Sequence, residues 1–83
     1  MLDFPVLKNS QVALVRAEIA TGHILTEDFK LNLAPSPVPY TIFDNIDEAV
    51  TYAREISSKR KDVEFAIYDK TETRIKYLLP ADF

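Results

Sequence analysis

The chain has 83 residues, with 10 Lys and Arg against 13 Asp and Glu, for a formal net charge of −3 at pH 7. At 47% hydrophobic residues, with four tyrosines and five phenylalanines, it is composed like a folding chain and is long enough for one small core, which argues against multi-domain mechanisms and against disorder. The lack of cysteine excludes disulfides, a thiolate nucleophile and cysteine-ligated zinc, and the acidic balance disfavours a general affinity for nucleic acid or anionic lipid.

Met1 to Ser10 holds Phe4, Pro5, Val6 and Leu7 ahead of a polar Lys-Asn-Ser, a pattern that suits an extended arm pinned to the domain. This opening lacks the basic start and long apolar segment of a signal peptide, and no run approaches the roughly 18 to 20 apolar residues of a membrane span, so a soluble, cytoplasmic protein with no membrane partner is expected. From Gln11 to Ile19, Ala13, Val15, Ala17 and Ile19 alternate with Val12, Leu14, Arg16 and Glu18. That predicts a strand covered on both sides in its first half and approaching an edge in its second. Ala20-Thr21-Gly22-His23 reads as a turn around the only glycine, and Ile24 to Leu33 as the returning strand of a hairpin spanning 11–33, with a short helical turn at Thr26-Glu27-Asp28 as the competing reading. Three prolines between Ala34 and Pro39 then impose an extended crossover at 34–39.

The region 40–79 reads as strand, helix, strand, strand. Tyr40 to Phe43 is a short strand, and the helix runs from about Asn45 to about Arg60, with Ile46, Ala49, Val50, Ala53 and Ile56 on one face. Asn45 and Glu48 have capping-box spacing, Asp47 adds negative charge at the positive end of the helix dipole, and Lys59, Arg60 and Lys61 put positive charge at its other end. With no glycine to close it, the helix should fray near Lys61 or Asp62. Val63 to Asp69 and Arg74 to Leu79 alternate as a second hairpin, which Pro80 ends. The expected fold is a single α+β domain: an N-terminal β-hairpin plus a β-α-β-β unit, with one amphipathic helix packed on a mainly antiparallel sheet.

Residues able to carry chemistry are sparse. His23 has no second histidine or cysteine with which to hold a metal, and reads as an exposed turn residue. Ser10, Ser36, Ser57 and Ser58 lie in polar or helix-terminal contexts without the glycine-flanked elbow of a hydrolase, and one glycine cannot build a phosphate cradle. The carboxylate pairs Glu27-Asp28 and Asp47-Glu48 have plainer uses as solvated or capping residues. No catalytic set, metal site or cofactor is therefore expected.

Ala17 to Phe29, the run Ala-Glu-Ile-Ala-Thr-Gly-His-Ile-Leu-Thr-Glu-Asp-Phe, resembles the opening of SAF or antifreeze-like β-clip domains, where a strand, a glycine turn and a Leu-Thr-x-x-acidic step recur. The helix-containing second half departs from that fold, and no ligand is carried over. Phe43 to Tyr77 is similar to the early region of some acetyltransferases, in which a capped helix precedes a strand reading Phe-Ala-Ile; the cofactor-pyrophosphate loop of that family is missing here.

Two functional classes follow. The first is a non-catalytic module that binds a protein partner or self-associates through a sheet edge or the open sheet face, where Tyr68, with Ala66 and Leu78, would form a mixed apolar patch. The second is a small regulatory or nucleic-acid-associated domain using a basic patch of Lys59, Arg60, Lys61, Arg74 and Lys76.

Overall fold

The computed structural model of the chain describes residues 4–32 and 38–83. Strands β1 (Val12–Glu18), β2 (Ile24–Leu25) and β3 (Thr41–Phe43) precede the helix α1 (Ile46–Lys59). Strands β4 (Val63–Tyr68) and β5 (Arg74–Leu78) and a short 3-10 turn (Pro80–Asp82) follow it. The fold is α+β, as the periodicity predicts: one helix on a five-stranded, antiparallel sheet of order β2-β1-β4-β5, with β3 pairing β1 beside β2.

The most apolar strand sits in the middle of the sheet. β1 pairs β4 along one edge from Ala13 to Glu18, and along its other edge pairs β3 at Val12–Leu14 and β2 at Arg16–Ala17. β3 and β4 therefore run parallel on opposite sides of β1, and α1 carries the chain over it. Central pairing buries Val12, Ala13 and Leu14 to 3%, 0% and 0% exposure. The second half of β1 does not approach an edge, contrary to the pattern reading. Arg16, which made that half look polar, is 0% exposed on the same face as Val12 and Leu14, under the side chains described below.

The helix is specified at both ends by local chemistry. At its start the Asn45 side chain accepts the Glu48 N–H at 2.9 Å, one half of the expected capping box. It ends without glycine by switching to extended backbone at Arg60 (φ −132°, ψ 123°), whose N–H still reaches the Ile56 carbonyl at 2.8 Å. Ala49, Ala53 and Ser57, four residues apart, form its fully buried row, and Ile46, Val50, Tyr52 and Ile56 flank them half-buried. Small side chains let the helix lie close over Val63, Phe65 and Ile67 of β4, each 0% exposed. Ser57, expected in a polar or helix-terminal context, lies in the last turn of the helix but is 1% exposed, and its hydroxyl has no partner among the described residues.

The returning strand expected at 24–33 is mostly turn. β2 has two residues, and Leu31 comes back only as an isolated bridge to Leu25, because Thr26 N–H bonds the Lys30 carbonyl at 2.8 Å and closes a tight turn. Phe29 sits in that turn at φ +63°, so 26–30 is neither strand nor helical. Leu33 and the proline-rich 34–37 lie outside the described residues. Of the N-terminal arm, Leu7 is buried, while the Phe4 ring packs edge-on against Tyr40 and Tyr68 at 5.2 and 6.2 Å on the face away from the helix.

Two substitutions test this packing. Ala53→Asp puts an unpaired carboxylate into the helix–sheet interface at a cost of about 3–5 kcal/mol, enough to abolish the cooperative thermal transition of so small a domain; a transition kept within a few degrees would contradict the interface. Ser57→Ala removes an unsatisfied buried hydroxyl and should raise stability by about 1 kcal/mol, read as a higher urea midpoint.

Candidate functional site

β5 is the last strand of the sheet order and lies at its edge. It is hydrogen-bonded to β4 alone, with Phe65 opposite Leu78, Ala66 opposite Tyr77, Ile67 opposite Lys76 and Tyr68 opposite Arg74, so its outer edge faces no other strand among the described residues. Arg74, Ile75, Lys76 and Tyr77 are all exposed, and Leu78 alone is buried. A register shift between Ile67 and Tyr68 leaves Ile75 as an extra residue. The bulge turns Ile75 toward the helix side, where it helps wall a hollow of about 390 Å³.

That hollow lies between the start of β1, the helix N-terminus and the β4–β5 turn. Val12, Ile46 and Ile75 supply its apolar wall, and Asn45, Asp69 and Lys70 its polar rim. The turn beside it is held by one carboxylate: Asp69 Oδ1 accepts the Thr71 N–H at 2.9 Å, the Thr71 hydroxyl at 2.6 Å and the Thr73 N–H at 3.2 Å. These bonds favour the ionised form, and the Thr71 side chain, the largest cause, holds the Asp69 carboxyl below its ordinary value. Glu72 takes φ +62° to complete the turn, and Lys70 Nζ donates to the Asn9 side chain.

The predicted basic residues fall into two groups. Lys59, Arg60 and Lys61 precede Val63, which pairs Glu18, whereas Arg74 stands beside Tyr68 at the other end of β4, five residues away and roughly 16 Å at strand spacing. Arg60 is also engaged: it donates to Asp62 from Nε at 3.2 Å and Nη2 at 2.9 Å, and its guanidinium lies 5.2 Å from the Phe29 ring. Its hydrogen bonds hold the Asp62 carboxyl below the ordinary range. Lys59 and Lys61 are exposed at the helix end. Arg74 lies 5.2 Å from the Tyr77 ring, and Lys76 shares the helix side of the sheet with Ile67. One continuous patch of these five is not formed.

The expected apolar patch is also divided. Leu78 lies in the helix-side core at 9% exposure, so it does not share a face with Ala66 and Tyr68. Tyr68 is half-buried against Phe4 and Tyr40, each 6.2 Å away. The open face instead shows Tyr77, 46% exposed, whose hydroxyl donates to Glu64. His23 is exposed in its turn, and among the described residues no three His, Asp or Glu side chains gather to hold a metal ion. No described helix is long and apolar enough to cross a membrane.

One group escaped the sequence reading. Arg16 lies on the core side with its guanidinium 5.8 Å from the Tyr52 ring and 5.9 Å from that of Phe29, and Nη2 donates to the Thr41 hydroxyl. The signal was available, because period-two alternation puts residues 12, 14 and 16 on one face. Compared with known proteins, the chain matches no family model, no curated protein and no solved structure. The local resemblances of residues 17–29 and 43–77 thus gain no support and carry no function to it.

Asp69 predicts a pH response. A carboxyl whose folded value is depressed contributes stability that is fully present above its unfolded value, about 3.9, and is lost as pH falls through the lower folded value. Asp69→Asn should flatten part of the acid limb of a stability-against-pH curve, with Asp62 supplying a remaining slope; superimposable limbs would show that the turn does not depend on the charge.

Proposed function

We propose that this domain is a non-catalytic interaction module that takes an extended strand of a protein partner along the outer edge of β5. The observation that carries the reading is the one-sided pairing of β5, whose outward N–H and C=O groups can extend the sheet by one strand. Main-chain bonds supply affinity in such a complex, and side-chain pockets supply selectivity. Arg74 and Lys76 on the edge favour acidic residues in the incoming strand, and the hollow beside Ile75 can receive one apolar side chain from it.

An acidic partner is favoured over a second copy. Pairing β5 with itself would gather two Arg74 and two Lys76 side chains into one short ribbon, where like charges repel. Cytoplasmic residence is part of the same reading and rests on the cysteine-free composition.

A peptide of alternating glutamate and valine is the direct probe. Added to isotopically labelled protein, it should shift the amides of residues 74–78 saturably, slow their hydrogen exchange, and bind less tightly as salt rises. The double variant Arg74→Glu, Lys76→Glu should lose this binding while keeping the thermal transition, since both residues are exposed. Shifts spread over the molecule, or none at about 1 mM peptide, the weak end of measurable affinity, would refute the edge as the docking site.

A further inference from the structure

Among the described residues Arg16 is the only ionisable side chain in the core, and neither Nε nor Nη1 meets an acceptor there. Its one hydrogen bond among them runs from Nη2 to Thr41. A guanidinium carries five N–H donors, and burying it without an anion is costly because the low-dielectric interior does not replace its hydration. Two aromatic rings offset that cost in part. They leave the charge without a salt-bridge partner among the described residues.

Part of the cover over this group is the Phe29 ring, which lies 5.9 Å from Arg16 and 5.2 Å from Arg60. Phe29 holds φ +63°, a conformation that strains a bulky side chain and that glycine adopts freely. The turn that carries it exposes Glu27, Asp28 and Lys30, beside a strand of only two residues. It is held by its own short-range bonds, Phe29 N–H to the Thr26 carbonyl at 2.9 Å, Thr26 N–H to the Lys30 carbonyl at 2.8 Å and Lys30 N–H to the Thr26 hydroxyl at 3.2 Å, and by Arg60 over the Phe29 ring at 5.2 Å. Such a turn opens locally at far less cost than the core. Displacing Phe29 would uncover the Arg16 guanidinium, the Thr41 hydroxyl and the flat wall of Tyr52 together.

We propose that Arg16 is the receptor for the carboxylate of a small monocarboxylic acid that enters beneath the 26–30 turn. A planar carboxylate matches the guanidinium fork, and a flat apolar body suits the aromatic wall. Phosphate fits worse, because one guanidinium and one hydroxyl replace little of its hydration, and Glu27 and Asp28 on the turn repel a dianion. The site is separate from the β5 edge and does not depend on it.

The Arg16 side-chain Nε–H resonance reports on the site in the parent protein. Titrated with benzoate at constant ionic strength, it should shift saturably together with the amides of residues 26–30. Arg16→Met should remain folded, since an apolar residue of similar length commonly replaces a buried ion without loss of stability, and should bind benzoate about tenfold more weakly or not at all. An unmoved Nε–H signal, a shift reproduced by sodium chloride, or tighter binding of phosphate than of benzoate would each overturn the assignment, whether or not the variant folds.

Discussion

The close seating of α1 on the sheet is the contact on which everything else depends. Ala49, Ala53 and Ser57 present almost no side chain beyond Cβ, so the helix lies low over β4, and Val63, Phe65 and Ile67 fill the space beneath it. Larger residues in that row would lift the helix and open the core, because packed interiors leave no spare volume. Among the described residues the helix and sheet share one core cluster, and no second one stands in reserve.

From that contact the rest of the arrangement follows. A helix crossing from β3 to β4 leaves room for β1 between them, and β1 becomes the strand paired along both edges. Its apolar first half suits that central place. β5 ends on the outside, where alternating polar and apolar residues, a bulge and two positive charges are the ordinary means by which an edge avoids indiscriminate pairing. The same features would make the edge selective, since a charged, kinked strand accepts only partners that answer its charge and shape.

Arg16 stands out against this economy. Cores of small domains are built from apolar residues, and a cation among them adds desolvation cost without packing that an aliphatic residue could not supply. Phe29 adds a second departure on the same spot, a large ring on a turn position suited to glycine. Departures of this kind are expected at functional or strained sites.

Periodicity in the chain by itself determined the α+β class, the helix and its start at Asn45, the strands of 40–79 and the first hairpin, because spacings of two and of three to four residues are local properties that need no knowledge of neighbours. The returning strand at 24–33 misled, since its alternation of Phe29, Leu31 and Leu33 looks the same whether the chain runs straight or folds back through Thr26 and Lys30. Alternation already put Arg16 on the face of Val12 and Leu14, but only tertiary structure decided that this face is closed over it, that Ser57 is inside, that Tyr68 lies under Phe4, that Leu78 faces the helix, and that the basic residues stand at opposite ends of β4. Each of these depends on which strand lies beside which, and strand order follows from long-range packing that no stretch of sequence carries alone.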